Sequence, residues 1–300
     1  MTEVRVPAST SNLGPGFDCF GLALQLYLSV SATIVPDASE PCRVNTTGAT
    51  ENEALPRNSV NLIYRAMSFA ASRERTSLPP IDLTVHNEMP LASSLGSSAA
   101  AIVAGIKLGA LLTGKPISDQ MVLNYATEFE GHPDNVAASL YGGFVASCVR
   151  ADGTALWAKL DWPEQIRVVV VSPHSQLPTH VARAALPRTV TRIDAVYNLQ
   201  RAALFTAAIA QQRYDLLREA MRDRLHQPHR ESLVPGLAEA LALPQMRGLL
   251  GIALSGAGPS IVALVNDNDQ EIGARIANCF KARDIDSTVR LLVVDNDGAQ

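Results

Sequence analysis

A serine- and glycine-rich segment in the first third of the sequence carries the residue types best suited to holding an anion. It reads Pro90-Leu-Ala-Ser-Ser-Leu-Gly-Ser-Ser-Ala-Ala100 and continues into an apolar stretch, 97–112, that predicts a buried helix. Small residues let backbone N–H groups approach a phosphate closely, and the start of a helix adds unpaired N–H donors and a partial positive charge. The hydroxyls of Ser97 and Ser98 could meet a phosphate oxygen or Mg²⁺. The segment therefore predicts a phosphate-binding loop.

This loop differs from two familiar nucleotide-binding loops. No Gly-Lys-Ser/Thr follows it, as a Walker A loop requires, and it lacks the GxGxxG spacing of a dinucleotide-binding turn. Taken alone, it has a plain alternative, which is a helix whose first turn is satisfied by serine hydroxyls. The rest of the chain decides between the two interpretations.

Composition favours an ordinary globular protein and argues against some partners. The 300 residues carry a net charge of -4, with 47% hydrophobic and 18% charged residues, so nothing indicates a nucleic-acid partner. The N-terminus has no basic segment followed by an apolar run, and the apolar stretch 99–112 is too short to cross a bilayer, so we expect no membrane association. The four cysteines lie far apart without metal-ligand spacing, which favours reduced thiols and a cytoplasmic location.

Periodicity places the loop within a mixture of strands and helices. Residues 22–34 alternate between apolar and polar, which predicts a strand with one face on a core. Helices are predicted from an N-cap at Ser59 to about Arg73, up to about Phe129, and from His132-Pro133 to Gly142-Gly143. A further amphipathic helix is predicted by apolar residues at three- and four-residue steps, namely Val196, Leu199, Ala203, Ala207, Ala210 and Tyr214.

The last third of the chain predicts a strand, a glycine turn and a strand, then a helix and a final strand. The predicted ranges are 252–255, 261–265, 270–283 and 288–294, after an earlier β-branched strand at 168–171. This mixture favours an α+β fold over a doubly wound parallel sheet. The length predicts about two domains, and the weak periodicity of 151–163 marks a candidate junction.

Two further motifs flank the loop. Near the N-terminus stands Pro7-Ala-Ser-Thr-Ser-Asn-Leu-Gly-Pro-Gly-Phe-Asp-Cys-Phe-Gly-Leu-Ala-Leu24, and near the C-terminus Leu254-Ser-Gly-Ala-Gly-Pro-Ser-Ile261. Together with the loop they resemble, in the same order, the three signatures of the GHMP kinases, a superfamily that includes galactokinases, homoserine kinases and mevalonate kinases. The resemblance spans nearly the whole chain, and three ordered motifs are far more specific than one glycine loop.

The resemblance implies an α+β GHMP kinase fold with two domains. The N-terminal domain, 1–158, would be ribosomal-protein-S5-domain-2-like and would bind ATP. The C-terminal domain, 159–300, would be a ferredoxin-like α+β domain.

Within the superfamily, the chain resembles the homoserine kinases. The first motif lacks the Arg-xx-Asn-xx-Gly-Glu-His pattern of galactokinases and the Pro-Gly-Lys pattern of mevalonate kinases. The closer resemblance is carried by 11–24, by 130–136 with 141–144, by 177–187, and by 223–230 with 233–236. It implies ATP-dependent phosphorylation of the side-chain hydroxyl of L-homoserine to O-phospho-L-homoserine in threonine biosynthesis, with ATP and Mg²⁺ as cofactors. A homodimer is expected because homodimers are common in this family.

Two other functions stay open. A GHMP kinase for another hydroxy amino acid or amino alcohol would keep much of the same pocket, since one methylene changes binding by only about 1–3 kcal/mol. A catalytically silent relative would bind a small molecule without phosphorylating it. The intact Ser98, Glu130 and glycine loop argue against that last alternative.

The resemblance also assigns residues to the nucleotide. Ser98 and Glu130 would act in catalysis by holding Mg²⁺, a hard cation that prefers such oxygens. Asn61 matches the position that meets adenine, and its alternative is a solvated residue in a first helical turn. The backbone of 95–99 would hold the phosphates, within a loop made of Pro90, Leu91, Ala92, Ser93, Ser94, Leu95, Gly96, Ser97, Ser98, Ala99 and Ala100.

The substrate pocket that the resemblance implies presents opposite charges at different points. Arg183 and Arg230 would grip a carboxylate through their guanidinium groups, and Asp18 would accept the ammonium. Asn12 and Asn135 would orient the reacting hydroxyl and so act in catalysis. The pocket would be completed by His132, Thr179 and Gly258.

The catalytic base is left open by the sequence. Mevalonate kinases are thought to use an aspartate near this point, and an alignment shift of one residue decides whether Asn135 or Asp134 matches it. Homoserine kinases are generally thought to lack a dedicated base, so we expect the ATP phosphates to accept the hydroxyl proton, which a loose transition state permits.

Two further expectations concern histidines and the third motif. The histidines other than His132 show no metal spacing and are expected to be structural or solvent-facing, namely His86, His174, His180, His226 and His229. The third motif, 255–260, is expected to form a hairpin turn. The resemblance adds that this turn packs against the phosphate loop and the substrate.

Overall fold

The long strand predicted near the N-terminus organises the first of two sheets. The structure is a computed structural model that describes residues 2–91 and 93–300, so the predicted loop residue Ala92 lies outside the described residues. The first sheet contains β1 (Thr2–Asn12), β2 (Gly16–Ile34), β3 (Cys42–Gly48), β4 (Ile81–Asn87), β5 (Phe144–Val149) and β6 (Ala155–Leu160). The order is β3-β4-β2-β5-β6, and β1 pairs with β2 along most of its length.

Helices of the first half cover this sheet and pack closely on one another. They are α1 (Leu62–Arg73), α2 (Ser97–Leu112), α3 (Asp119–Glu130) and α4 (Asp134–Tyr141). The predicted buried helix is confirmed as α2, which packs on α1 and β1. At Gly105 a Cβ atom would lie 2.4 Å from the carbonyl oxygen of Ile63. Glycine at this position therefore lets α1 and α2 approach closely.

A second sheet forms in the C-terminal half. Its strands are β7 (Arg167–Pro173), β8 (Leu249–Leu254), β9 (Ile261–Val265) and β10 (Ser287–Leu292), antiparallel in the order β10-β7-β9-β8. This is the strand order of a ferredoxin-like βαββαβ unit. The helices here are α5 (Thr179–Ala184), α6 (Arg192–Ala210), α7 (Leu217–Ala220), α8 (Gln227–Arg230), α9 (Leu237–Leu241) and α10 (Asp269–Lys281). The predicted α+β class and ferredoxin-like arrangement agree with this architecture.

The connection between the two sheets lies close to the predicted domain junction. The predicted boundary after residue 158 lies inside β6, which stays paired with β5 as far as Leu160. The next strand, β7, begins at Arg167, so 161–166 is the connection between the sheets. The tail also returns to the first sheet, where Arg5 and Gln300 exchange backbone hydrogen bonds of 2.9 Å in both directions.

The predicted helix cap at Ser59 is wrong. Helix α1 begins at Leu62, and the Asn61 side-chain oxygen accepts the Ile63 N–H at 3.0 Å. The Asn61 amide also donates to the carbonyl of Pro56 at 2.8 Å, which holds the preceding turn in place. Asparagine at this position therefore satisfies one of the unpaired donors of the first helical turn.

The apolar stripe predicted for α6 lies on the solvent side of the helix. Leu199 is 70% exposed, whereas the opposite face buries Phe205, Ala208 and Ile209. Phe205 sets this orientation because its ring packs against those of Phe20 at 5.4 Å and Phe144 at 5.2 Å. The packing of Phe205 thus decides which face of α6 is buried, although the opposite face carries the longer run of apolar residues. No helix in the described part of the chain is long and apolar enough to span a membrane.

Candidate active site

The predicted phosphate loop sits at the N-terminus of α2. Gly96 occupies the N-cap position with a left-handed φ of 69°, and no side chain caps this end of the helix. A Cβ atom at Gly96 would lie 2.2 Å from the hydroxyl oxygen of Ser9. Glycine is therefore required here both by the backbone angle and by the approach of β1. The uncapped end points its N–H donors and its partial positive charge at any anion bound there.

The third motif packs against this loop, as expected, and also forms the β8–β9 hairpin turn. The Ser255 hydroxyl donates to the Ser94 carbonyl at 2.7 Å, and the Ser260 hydroxyl donates to the Ser93 carbonyl at 2.6 Å. The Gly256 N–H donates to the Ser11 carbonyl of the first motif at 3.1 Å. Hydroxyl-to-carbonyl bonds thus join the third motif to the loop, and a backbone hydrogen bond joins it to the first motif, although the three lie far apart in the sequence.

A cavity of about 420 Å³, which we call the larger cavity, opens beside the loop. Of the residues predicted to bind the nucleotide, Asn61, Leu91 and 93–98 line it. Ala99 and Ala100 do not, because they are fully buried on the core side of α2, and Pro90 is not among the lining residues either. The sequence did not single out the other lining residues, which include Thr46, Thr50, Leu55, Pro56, Val60, Val85, Asn87 and Ala101.

The two predicted Mg²⁺ ligands lie together at the mouth of the loop. The Ser98 hydroxyl, in the first turn of α2, donates to a carboxylate oxygen of Glu130 at 2.8 Å. Glu130 is the last residue of α3. A hydroxyl and a carboxylate next to a phosphate-binding helix end are hard oxygen donors, and this donor set fits Mg²⁺.

A second, smaller cavity of about 80 Å³ adjoins the first and shares Ser94, Gly96, Ser98 and Thr179 with it. We call it the smaller cavity. The structure brings to it almost every residue predicted for the substrate, namely Asn12, Asp18, His132, Asn135, Thr179, Arg183 and Arg230. Gly258 is not among the lining residues, because the turn presents Gly256 and Ala257 instead while the Gly258 carbonyl accepts the Ser94 hydroxyl. Ser11, Phe17 and Asp134 also line this cavity.

Asp18 and Arg183 pair with each other across the smaller cavity. The two guanidinium nitrogens of Arg183 lie 2.7 and 3.0 Å from the two carboxylate oxygens of Asp18. The hydrogen bond to Asp18 is the main reason why the pKa of Arg183 is raised from its ordinary value. The predicted carboxylate-binding and ammonium-binding groups thus neutralise each other in this structure.

Arg230 is buried, although nothing in its local sequence indicates this. Its side chain donates from Nε to the Ala182 carbonyl at 3.2 Å and from Nη1 to the Gly256 carbonyl at 3.1 Å. Burial, followed by the nearby charge of Arg183, lowers the pKa of Arg230 to about 10. The guanidinium stays charged near neutral pH, so it offers a fixed positive group at the base of the smaller cavity.

The two asparagines expected to orient the hydroxyl already hold neighbouring segments. Asn12 donates to the Gly256 carbonyl at 2.8 Å and accepts the Asp18 N–H at 3.1 Å. The Asn135 amide donates to the Ser9 hydroxyl at 3.1 Å. Both line the smaller cavity, but their amides also fix its walls.

A histidine–aspartate pair lies beside them. The Nδ1 atom of His132 is 2.6 Å from a carboxylate oxygen of Asp134, and the same oxygen accepts the Asn135 N–H at 2.7 Å. Burial by itself would lower the pKa of His132. The hydrogen bond to Asp134 and the charges of Asp134 and Glu130 outweigh it, so the pKa is raised. Asp134, whose role as a catalytic base the sequence left open, is thus buried, and its carboxylate already accepts hydrogen bonds from within the site.

Comparisons with known proteins agree with this geometry. The family model for the GHMP kinases N terminal domain matches residues 61–143, and the model for GHMP kinases C terminal matches residues 205–282. A homoserine kinase from Deinococcus radiodurans is 46% identical over 259 residues, which cover 86% of this chain and 82% of the relative. A homoserine kinase from Aquifex aeolicus is 39% identical and covers 100% of this chain and 99% of the relative.

The chain belongs to the homoserine kinase family of the GHMP kinases. The resemblance drawn from the three motifs is therefore confirmed. The fold is confirmed as well, since the crystal structure of homoserine kinase from Cytophaga hutchinsonii has a TM-score of 0.83 at 29% identity and covers 99% of this chain and 96% of that one. A mevalonate kinase structure with a TM-score of 0.66 at 13% identity shares the GHMP kinase fold.

Two contacts beside this site were not predicted from the sequence. His226, expected to be structural or solvent-facing, is fully buried and lies against Arg230, and Phe17 stacks on the His226 ring with 5.3 Å between centroids. Both residues fall within segments that resemble homoserine kinases. No spacing rule separates them from ordinary core residues, because only the tertiary fold brings them together.

Proposed function

We propose that this chain transfers the γ-phosphoryl group of ATP to the side-chain hydroxyl of L-homoserine and releases ADP and O-phospho-L-homoserine, a step of threonine biosynthesis. The observation that carries this proposal is the Asp18–Arg183 pair, at 2.7 and 3.0 Å, in a cavity that adjoins the phosphate loop. A free amino acid is a zwitterion, so its carboxylate and ammonium can each replace one half of that pair.

The substrate's charged end would take the place of this internal ion pair. Its carboxylate would be held by Arg183 and Arg230, since a guanidinium fork matches a carboxylate in shape and charge. Its ammonium would meet Asp18. Oxygen atoms of Asp18 and Asp134 and a nitrogen of His132 lie within 4.8 Å of one another, which makes this wall of the smaller cavity suitable for a cation.

The phosphate end would be held by backbone groups. With ATP in the larger cavity, the N–H groups of 95–99 at the start of α2 would bind its phosphates. The substrate hydroxyl would enter from the smaller cavity, near Ser98 and Thr179, which both cavities share. Ser98 and Glu130 would hold Mg²⁺, which when bound neutralises charge on the phosphates.

We propose that the reaction proceeds without a dedicated base. Asn12 and Asn135 would orient the substrate hydroxyl, whose oxygen forms the new bond to phosphorus as the bond to the ADP oxygen breaks. The hydroxyl proton would pass to a phosphate oxygen, which a loose transition state permits. The Asp134 oxygen that faces His132 already accepts two hydrogen bonds, which supports this assignment.

Matched acceptors test the proposal. Rates of ADP formation should be compared for L-homoserine, L-threonine, L-serine and mevalonate at equal concentrations, together with 3-aminopropan-1-ol, which lacks the carboxylate, and 4-hydroxybutanoate, which lacks the ammonium. We expect L-homoserine to have the highest kcat/KM. Each truncated analogue should lose about tenfold or more, because it leaves a charged group in the cavity without its partner.

A preference for any other acceptor contradicts the proposal. The alternative acceptors, other hydroxy amino acids and amino alcohols, find no support in the homoserine kinase relatives reported above.

We also propose a two-domain division near 161–166, a homodimer and a cytoplasmic location. The division is supported by the sheets, which end and begin on either side of that segment. The dimer is supported by the frequency of homodimers in this family. Light scattering should then give twice the 32.0 kDa mass of one chain. The location is supported by the cysteines, none of which forms a disulfide in the described residues.

A further inference from the structure

A fully buried histidine lies behind the smaller cavity and takes no part in the reaction described so far. His226 has no exposed surface. Its Nε2 atom is 2.7 Å from the Gly14 carbonyl, and its Nδ1 atom is 2.9 Å from Nη1 of Arg230. Both ring nitrogens therefore have a partner. Arg230 lines the smaller cavity, and Gly14 lies in the chain segment between the lining residues Asn12 and Phe17.

The partners determine where the ring carries its proton. A carbonyl oxygen can only accept and a guanidinium can only donate, so Nε2 carries the hydrogen and Nδ1 presents a lone pair. The imidazole is therefore neutral, and its complete burial lowers its pKa in the same sense. Asp223 lies 3.6 Å from Nε2, but its carboxylate already accepts the N–H groups of Leu225, His226 and Gln227.

The contact between Nδ1 of His226 and Nη1 of Arg230 adds to the hydrogen bonds that hold the Arg230 side chain in place. Its Nε and Nη1 hydrogens are bound to Ala182, Gly256 and His226. Within residues 2–91 and 93–300, Nη2 donates no hydrogen bond, and Arg230 lines the smaller cavity. The side chain is thus held at two of its nitrogens, which leaves the third for a ligand.

The same ring also touches the segment that carries Asp18. Gly14, the acceptor of the Nε2 hydrogen, lies in the turn between β1 and β2. Phe17, the neighbour of Asp18, stacks on the imidazole at an angle of 30°, and the guanidinium carbon of Arg230 lies 5.6 Å from the Phe17 ring centre. One buried side chain therefore contacts both Arg230 and the segment that carries Asp18.

We propose that His226 is a positioning residue for substrate binding, which aims Arg230 at the substrate carboxylate through Nδ1 and ties the Asp18 segment to it through Nε2–H. This inference rests on the proposed function, because it takes Arg230 as a substrate-binding group. If His226 only filled space, neither ring nitrogen would matter for substrate binding. The positioning role and the space-filling role therefore predict different effects when the imidazole is replaced by an amide side chain.

Two amide substitutions separate the contributions of the two nitrogens. The side-chain oxygen of His226→Asn lies close to the position of Nδ1, so it keeps an acceptor for Arg230. The amide nitrogen of His226→Gln reaches the position of Nε2, so it keeps a donor for Gly14 but removes the acceptor. His229→Gln, at an exposed position on α8, the short helix that directly follows His226, is the matched control.

Steady-state kinetics with L-homoserine and ATP test the proposal. We expect His226→Gln to raise the KM for L-homoserine by about tenfold or more, since a buried guanidinium donor loses its acceptor. The KM for ATP should stay within about twofold, and His226→Asn should raise the KM for L-homoserine much less than His226→Gln does. Equal KM values in the two variants, or an unchanged KM in His226→Gln, would overturn the proposal.

A spectroscopic measurement keeps the test valid if the variants fold poorly, and it does not depend on activity. Imidazole ¹⁵N spectra of the wild-type chain should show the neutral Nε2–H form of His226 at pH 7, and its Nδ1 signal should move in Arg230→Met. A protonated ring, or the Nδ1–H form, would overturn the positioning role. If the wild type instead fails to phosphorylate L-homoserine while these signals behave as expected, the proposed function is wrong and the His226–Arg230 contact stands.

Discussion

The two adjoining cavities differ in the kind of groups that line them. Among the described residues around the larger cavity, none carries a charged side chain, and the lining is made of backbone, hydroxyl, amide and apolar groups. The smaller cavity is lined by five side chains of charged types, namely Asp18, Glu130, Asp134, Arg183 and Arg230. One region would bind its ligand by backbone dipoles, and the other by paired charges.

This difference has a physical basis in how each site is kept stable without its ligand. Helix N–H groups are held in place by the helix itself, so a phosphate site at the end of α2 needs no counter-charge. Charged side chains in a small cavity must be neutralised, because an unpaired charge out of water is costly. The Asp18–Arg183 pair meets that requirement. Charge substitutions in the Asp18–Arg183 pair should therefore act on the smaller cavity and leave nucleotide binding almost unchanged, whereas Glu130, next to the phosphate loop, should act on both.

The largest effect is expected where the two cavities meet. Glu130→Gln keeps an acceptor for the Ser98 hydroxyl and removes only the charge. If Glu130 holds Mg²⁺, kcat should fall by about 10²–10³-fold, since metal charge stabilisation contributes several kcal/mol to the transition state. Rates measured across a Mg²⁺ titration check this.

The matched control is Glu128→Gln, two residues earlier on α3, where the carboxylate is exposed and pairs with Arg73. It should keep the wild-type kcat. A Glu130→Gln enzyme with wild-type kcat at every Mg²⁺ concentration would remove Glu130 from the metal site.

Asp18→Asn should affect the smaller cavity alone. The substitution removes the charge expected to meet the substrate ammonium, so the KM for L-homoserine should rise by about 10–100-fold, the usual loss for a charge-assisted hydrogen bond. The KM for ATP should not change. 4-Hydroxybutanoate, which has no ammonium, should be used no worse than by the wild type.

Asp37→Asn, at an exposed loop position, is the control for this variant. If Asp18→Asn raised the KM for ATP and for L-homoserine equally, the two cavities would not be separable in the way that their linings indicate.

The same contrast explains what could be predicted from the sequence. The phosphate loop is contiguous, and its small residues and helix start are local features, so its position followed from Pro90–Ala100 directly. The substrate cavity is assembled from segments around 12–18, 130–135, 179–183, 226–230 and 256–257. Its residues were reached only through the family resemblance. The orientation of α6 and the burial of Arg230 depend on long-range packing, which local periodicity does not contain.

His226, behind the smaller cavity, should make folding stability depend on pH. Burial lowers the pKa of His226 below its ordinary value of 6.5, while Asp223 and Asp18 oppose this shift and Arg230 adds to it. Below pH 6.5 the unfolded chain therefore binds a proton that the folded chain does not. The stabilising contribution is present above that pH and is lost as the pH falls, by up to about 1.4 kcal/mol per pH unit.

Urea unfolding of the wild type, His226→Asn and the exposed control His229→Asn between pH 5 and 7.5 measures this contribution. The slope of unfolding free energy against pH should be smaller in His226→Asn and unchanged in His229→Asn. Equal slopes in all three proteins would mean that His226 does not titrate differently in the folded and unfolded states.

The smallest effect concerns the uncharged cavity, where Asn61 has two possible roles. As the N-cap of α1 it accepts the Ile63 N–H, so Asn61→Ala should lower the free energy of unfolding by about 1 kcal/mol, while Ser59→Ala should have no effect. Asn61→Asp keeps the capping oxygen and places a negative charge at a helix N-terminus, but it loses the N–H that binds the Pro56 carbonyl, so it should destabilise the fold less than Asn61→Ala does. If Asn61 also meets adenine through its amide N–H groups, both substitutions should raise the KM for ATP to a similar extent, although Asn61→Ala destabilises the fold more. A KM for ATP that rises only in Asn61→Ala would leave Asn61 as a helix cap.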